Sequence, residues 1–382
     1  MMSRVMVGDG RLGLERLVPS AVEPRVDWAA IDAALPWIAA MRGVPQDPIH
    51  HAEGDVWIHT RMVCEALVAL PRWQALPEDA RVRLFVAALL HDVGKPHTTI
   101  IEPDGRVRSP GHSPKGAMLA RRILWADGWP ASRREAVTAL VRFHQVPYHL
   151  MERKDGRSIA IRLSQTARAS ELALLCEADV RGRTSAQLAR QLDNIALFQE
   201  FCQELGCLDQ PYPFASDHAR AMYFYRRDRD PQWAAFDDTR VGVTLMSGLP
   251  GAGKSTWVAG NAGSDPVISL DRIRSGLGVD PEQEQGVVVA QARERARVHL
   301  RAGQSFVWDA TNLSRSLRGN LVSLFYDYGA RVRIVHVEAP TSEVYARNRG
   351  RARPVPEEVI DRLVDRWEIP EPTEAHEVVW VE

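Results

Sequence analysis

The spacing of apolar and polar residues divides the chain into two textures. In the first, apolar positions recur at helical intervals. Residues 26–41 read as a helix with several Ala and Trp residues, and residues 62–70 as a second. A third opens at Pro77-Glu78-Asp79, where acidic residues suit the positive end of a helix. It runs through Leu84 to Leu90, apolar nearly all round, and is expected in a core, with Gly94 as its stop. Residues 159–172 and 186–201 read as further helices. From about Leu208 to Thr239 no period is sustained; the stretch is rich in Pro, Asp, Arg and aromatics and reads as a connector. The alternative there is a surface on which bases stack beside Arg226, Arg227 and Arg229. Beyond it, short apolar stretches at 267–270, 305–308, 332–337 and 378–381 alternate with helical patterns, which predicts a parallel sheet with crossover helices. The expected fold class is therefore two domains, an all-α helical bundle over 1–207 and an α/β domain over 241–382, joined by a linker over 208–240.

Bulk properties change this picture little. A chain of 382 residues can bury two or three separate cores. Its formal net charge of −1 gives no global basic field, so any nucleic-acid contact must be local, through arginine clusters. No apolar run approaches a membrane span, and MMSRVMVGDGRLG lacks the apolar core of a signal peptide, so a cytoplasmic location without membrane partner is expected. Cys64, Cys176, Cys202 and Cys207 form no C-x-x-C pair, which argues against a zinc knuckle or a disulfide framework. Cys202 and Cys207 read as reduced thiols, with a metal pair as the alternative.

The second texture carries the sharper chemistry. An apolar run breaks into Gly248-Leu249-Pro250-Gly251-Ala252-Gly253-Lys254-Ser255-Thr256, a complete G-x-x-x-x-G-K-[ST] loop where a strand should pass into a helix. Glycines let backbone N–H groups converge on phosphate oxygens, and the positive end of the helix favours the same charge. Lys254 would reach the β- and γ-phosphates of ATP or another nucleoside triphosphate, and the Ser255 hydroxyl would ligate Mg²⁺. In Ser269-Leu270-Asp271-Arg272-Ile273-Arg274, Asp271 leaves a strand end where a carboxylate can take a proton from an attacking hydroxyl, with Arg274 one turn on. The alternative is an Asp that caps the helix. Asp309, in Trp308-Asp309-Ala310-Thr311-Asn312, ends another strand as a Mg²⁺-orienting acid would. Arg347, Arg349, Arg351 and Arg353 make i, i+4 pairs beside Gly350 and two prolines. They read as a mobile lid over the phosphates, or as a solvated helix end.

The helical half offers a different set. The oily third helix delivers His91-Asp92 into a core, where the pair is costly to bury unless something compensates it, and a divalent cation would. His59, His112, His144 and Asp179 lie on or beside other expected helices, so a bundle could converge them. Imidazole mixed with carboxylate suits transition ions better than Ca²⁺. A cation so held would activate water and draw charge from a phosphoryl oxygen. Lys95 and Arg183 would grip remaining oxygens or else be solvated charges, and His51 would line the mouth or replace His59.

The segments EGDVWIHT, ALLHDVGKP, PGHSPKGA and EADVRGR resemble the HD-domain metal phosphohydrolases, over roughly residues 45–190, and among them the HD module of bacterial tRNA nucleotidyltransferases. No nucleotidyltransferase head is read ahead of it, so that enzyme's main activity is not expected. The resemblance implies one metal on His59, His91, Asp92 and Asp179, with His112 and His144 added, and Asp92 shared, when a second binds. The phosphate loop, SLDRIR, WDATN, RNRGR and PVPEEV together resemble the P-loop polynucleotide kinases over roughly 241–370. That likeness implies Asp271 as general base, Arg274 on the acceptor's phosphate, and Arg347 and Arg351 on the donor phosphates.

The order of the two modules resembles the bacterial HD-Pnk end-healing proteins. It implies a bifunctional RNA repair enzyme that removes 2′,3′-cyclic, 2′- or 3′-phosphates with one or two divalent transition-metal ions and phosphorylates 5′-OH ends with ATP. RNA ends, with DNA as the alternative, and a separately encoded RNA ligase are the expected partners. Two other readings stay open: a nucleotide phosphohydrolase fused to a small-molecule kinase, and an ATP-gated switch with a non-catalytic HD module.

Overall fold

A computed structural model describes residues 12–226, 229–279, 285–351 and 354–382. Arg227, Ala352 and Arg353 lie outside the described residues. The chain divides into two compact units, Met1–Pro213 and Phe214–Glu382.

The first unit is a helical bundle. Its principal helices are α1 (Trp28–Ala34), α2 (Val56–Ala69), α3 (Glu78–Leu90), α4 (His112–Ala126), α5 (Ala131–Phe143), α6 (Gly156–Ser164), α7 (Ala169–Arg181) and α8 (Leu188–Glu204). Where one helix was expected over 26–41, α1 stops at Ala34, because Pro36 has no amide to donate, and a 3₁₀ turn follows. The helix expected over 159–172 is likewise two helices, α6 and α7, separated by residues 165–168. A two-stranded antiparallel hairpin, β1 (Ile100–Ile101) with β2 (Val107–Arg108), adds a small exception to the all-α bundle.

Helix α3 is central: Leu84 through Leu90 are all buried, as an all-round apolar helix requires. It ends at Leu90 with His91 as its C-cap. Gly94 does not stop it, since its φ of −80° is available to any residue. A Cβ there would lie 2.2 Å from His112 O and 2.7 Å from Gly116 N, so Gly94 is the point where α4 closes on the His91-Asp92 turn. That close approach brings His112 to the doublet.

The second unit is α/β. Five parallel strands run in the order β4 (Val267–Ser269), β5 (Phe306–Asp309), β3 (Val241–Ser247), β6 (Ala330–Val337), β7 (Glu377–Val381). Their side chains alternate between two cores. Val243, Leu245, Phe306, Trp308, Val332 and Ile334 enter one, and Met246, Val307, Val335 and Val337 the other. Burial on both faces is what a parallel sheet covered by crossover helices demands. Those helices are α10 (Lys254–Asn261), α11 (Leu270–Leu277), α12 (Gly286–Arg301), α13 (Arg315–Asp327), α14 (Thr341–Arg349) and α15 (Glu357–Val364).

Helix α9 (Asp217–Tyr225) precedes the sheet, within the stretch expected as a connector. It belongs to the second unit: Tyr225 donates to Asp327 (2.9 Å), and Arg220 donates to His376 O (2.7 Å). Phe214, Tyr223 and Phe224 pack on one another, so those three aromatics serve packing.

Candidate active sites

In the helical unit the cage is built where five helices end or pass. His59 sits on α2, His91-Asp92 follows α3, His112 opens α4, His144 caps α5, and Asp179 lies in the last turn of α7. All six are at most 6% exposed. Their potential ligand atoms form two adjacent groups, His59 with His91 and Asp179, and Asp92 with His112 and His144, each within 4.8 Å. Asp92 spans both. Its Oδ2 lies 3.2 Å from His91 Nε2 and 3.8 Å from His59 Nε2, while Oδ1 lies 3.4 Å from His112 Nε2 and 3.8 Å from His144 Nε2.

The imidazoles are aimed by the backbone. Nδ1 of His91 lies 2.7 Å from Ala88 O, that of His112 2.8 Å from Ser109 O, and that of His144 2.7 Å from Val141 O. Each Nδ1–H donates to a carbonyl three residues earlier, which turns Nε2 inward. His112 Nε2 and His144 Nε2 are then 3.3 Å apart, and those of His59 and His91 3.4 Å. Two imidazoles sharing a tetrahedral cation at ~2.1 Å stand about 3.4 Å apart. Both Asp92 oxygens are buried without a hydrogen bond, although Lys95 Nζ stands 2.7 Å from Oδ2. Such a carboxylate is costly unless a positive charge meets it. The donor set fits a divalent cation.

The charges agree with this. Burial favours neutral Asp92, but His91 and Lys95 outweigh it and hold its pKa well below the usual carboxylate range. Burial opposes a charged His91, yet Asp92 beside it wins and raises its pKa. His144, buried and facing His112 and His91, is pushed down to about 3, and so stays a neutral donor. Asp179 is held low despite burial by Arg183 and His59.

Lys95 and Arg183 are not solvated charges. Lys95 donates to Gln46 Oε1 at 2.6 Å beside Asp92, and Arg183 Nε donates to Asp179 Oδ1 at 2.9 Å while its guanidinium lies over the Tyr148 ring at 5.1 Å. The fork of Arg183 is thus engaged by a carboxylate within the cage. Two further groups escaped sequence reasoning. Glu53 Oε1 lies 2.9 Å from both His51 Nδ1 and His59 Nδ1, and Tyr148 donates to Asp179 Oδ2 at 2.7 Å. His51 is therefore tied to the far nitrogen side of His59, against Glu53. EGDVWIHT contains Glu53, but nothing in that pattern marks its partner; Tyr148 carries no signal at all.

In the α/β unit the loop from β3 into α10 has the expected form. Gly248 has φ 140°, and a Cβ there would fall 2.2 Å from Val337 O, so only glycine lets the loop pass β6. Gly251 and Gly253 also have positive φ, and Ala252 is buried beneath them. Lys254 donates to Gly248 O (2.8 Å) and Leu249 O (2.9 Å), with its ammonium enclosed although the residue as a whole is half-buried. Burial lowers its pKa to about 8, against the opposing charges of Asp309 and Asp271. Ser255 and Thr256 are exposed on the first turn of α10.

Asp309 ends β5 level with Ser269 of β4, and burial raises its pKa in spite of Lys254. Asp271 stands in the first turn of α11, whose N-cap position is held by Ser269 without a side-chain capping bond, so Asp271 is not the cap. Its side chain is 75% exposed and pairs with Arg274, which also donates to Gln285 (2.7 Å). Arg347 reaches over the loop, its guanidinium 3.7 Å from where a Gly253 Cβ would be, and pairs with Glu343. Arg349 turns instead to Glu357 (3.0 Å), while Arg351 lies close enough to bear on the Lys254 charge.

Among the described residues, no helix is long and apolar enough to cross a membrane. The four cysteines are buried and free, and none joins the candidate metal groups.

Comparison with known proteins agrees with both halves. Residues 56–183 match the HD domain family, and residues 243–370 match a family described as AAA domain. The Multifunctional CCA protein of Halorhodospira halophila is 32% identical over 159 residues, 40% of this chain and 36% of that protein. The CC-adding tRNA nucleotidyltransferase of Thermus thermophilus is 40% identical over 111 residues, 29% of this chain and 24% of that protein. The chain thus spans about a third or less of the length of these relatives. A gluconokinase structure from Sinorhizobium meliloti aligns over 37% of this chain and 84% of its own, with 20% identity and a TM-score of 0.28. The finer likeness to HD-Pnk proteins is not among these matches. The chain joins an HD phosphohydrolase-type domain to a P-loop kinase-like domain with a five-stranded parallel sheet.

Proposed function

We propose that this chain is a bifunctional RNA end-healing enzyme. Strand breakage by transesterification leaves a 2′,3′-cyclic phosphate on one side and a 5′-OH on the other. The helical unit opens and removes the first, as a 2′- or 3′-phosphate, and the α/β unit phosphorylates the second. A separately encoded RNA ligase would then have both ends it needs. The observation that carries this reading is the pairing, in one chain, of a cage around a buried Asp92 whose oxygens make no hydrogen bond and a phosphate loop beside an exposed carboxylate.

His59, His91, Asp92, His112, His144 and Asp179 would hold one or two divalent transition ions. Such an ion supplies Lewis acidity and lowers the pKa of water to near neutral. The chain's own groups do the rest: Glu53 orients His59, Tyr148 and Arg183 orient Asp179, and Lys95 balances Asp92. In the kinase half, Asp271 takes the proton of the 5′-hydroxyl as that oxygen bonds the γ-phosphorus of ATP and ADP leaves. Lys254 and the loop amides hold the phosphates, Ser255 and Asp309 serve Mg²⁺, and Arg347 and Arg351 balance the transferring charge. Arg274 would leave Asp271 for the acceptor's phosphate. The high exposure of Asp271 leaves room for a polymer end.

A doubly end-labelled nicked RNA, incubated with ATP and a panel of divalent ions, tests this. The 3′-side phosphate should be lost and the 5′-OH phosphorylated. Turnover confined to nucleosides, sugars or free nucleotides would replace the reading with a fused metabolic pair. Nucleotide binding with no turnover on any acceptor would leave only a switch.

A further inference from the structure

The phosphate loop is held from beneath as well as by its own glycines. Ser247, the last residue of β3, is wholly buried; its hydroxyl donates to Asn312 O at 3.2 Å and faces His336 Nδ1 at 3.0 Å. Asn312 Nδ2 donates to Met246 O at 2.7 Å, and the Gly248 amide donates to Thr311 O at 2.9 Å. Three bonds therefore tie residues 311–312, just after β5, to the root of the loop.

Asn312 is itself constrained. Its φ of 41° is the one positive value outside glycine among the described residues, and it is 7% exposed. Of residues with side chains, Asn and Asp adopt that conformation most readily. Behind it lies Arg318 of α13, with no exposed surface. Its NH1 donates to Asn312 O (3.0 Å) and Glu368 O (2.7 Å), and its fork grips both oxygens of Glu374 (2.7 and 2.9 Å). A guanidinium so desolvated is tolerated only when its donors are used, as they are here. Apart from the Gly248 amide, none of these groups belongs to the loop that would touch phosphate. Each fixes where the loop begins, and backbone donors bind best when they are aimed before the ligand arrives.

We propose that Asn312, braced by the buried Arg318–Glu374 pair, is a positioning residue that sets the phosphate loop for the nucleotide's phosphates. This rests on reading the loop as a nucleoside triphosphate site. MgATP titration calorimetry on the full chain tests it, with wild type, Asn312→Gly, Asn312→Asp and Ser247→Ala. Glycine accepts φ 41°, so Asn312→Gly removes the Nδ2 bond without a backbone conflict. It should weaken MgATP binding about tenfold, and Ser247→Ala about threefold. Asn312→Asp sets a carboxylate against Met246 O and should bind more weakly than Asn312→Gly. KM for ATP should rise in step while KM for the RNA acceptor holds. A merely structural role would lower the melting temperature and leave the affinity of the folded protein unchanged. Folded Asn312→Gly and Ser247→Ala that both bind within about twofold of wild type, or an Asp variant that binds better than the Gly variant, would overturn the brace. Should Asn312→Gly fail to fold, Ser247→Ala decides alone. Absence of MgATP binding by the wild type would instead overturn the nucleotide reading, and the brace with it.

Discussion

The two units prepare for phosphate chemistry in opposite ways. The helical unit buries its candidate groups: six possible ligand side chains lie in a buried centre, aimed by carbonyls and carboxylates around them. The α/β unit keeps Asp271, Ser255 and Arg347 exposed and buries the support beneath them. A cation cage needs several side chains at one point, so its precision comes from packing. A phosphate cradle uses backbone donors, so its precision comes from local conformation, secured from below. Loss of a side chain should therefore be felt differently in each.

The widest gap is expected from reciprocal knockouts. His91→Ala should cut metal content and end dephosphorylation by on the order of a hundredfold or more while kinase activity persists, and Lys254→Ala should do the reverse. Metal analysis and both assays on each protein would check this; loss of both activities in either variant would break the picture of two independent sites. Next is Asp271→Asn. If the exposed carboxylate is a general base, the kinase kcat should fall about 10²–10⁴-fold with MgATP affinity nearly unchanged. A variant that phosphorylates RNA normally would return Asp271 to a surface charge.

A smaller contrast separates the arginines. Arg347→Ala should slow phosphoryl transfer by about tenfold or more, because that side chain lies over Gly253. Arg349→Ala should leave the rate almost intact, because Arg349 faces Glu357. Equal losses would mean that α14 moves as a whole on binding.

The smallest effect concerns pH. Lys254 is held near pKa 8 in the folded chain, below the ~10.4 of a solvated lysine. Between those values the unfolded chain binds more protons, so stability from this group rises with pH across that window. Below about pH 8 both states carry the proton and the cost of enclosing the charge is fully felt. Lys254→Met should flatten the rise, read as the melting temperature without nucleotide from pH 7 to 10. A wild-type curve no steeper than that of the variant would show that the ammonium is solvated.

The strand pattern at 267–270, 305–308, 332–337 and 378–381 recurs almost unchanged in β4 to β7, and the phosphate loop lies between β3 and α10 as expected. Those features are legible because alternation, turn glycines and the strand-to-helix handover are encoded within a few neighbouring residues. Helix ends were less legible: Pro36 and the 165–168 break cut two expected helices, and α9 lies within an expected connector. At Pro36 a local breaker outweighed the apolar period, and α9 was hidden because its own period is weak.

By itself the sequence determined the residue types, the order of the two units and the loop that faces a nucleotide. Only the tertiary structure decided which imidazoles meet, that Asp92 turns one oxygen to each pair, and that Glu53 engages His59 while Tyr148 and Arg183 engage Asp179. It alone also set Asn312 and Arg318 beneath the phosphate loop. The physical reason is range. Periodicity and turn chemistry act between neighbours, whereas the cage contacts of Asp179 reach Tyr148, 31 positions away, and His59, 120 away, and that of Glu53 depends on which way the His59 ring turns; both follow from how helices and strands pack.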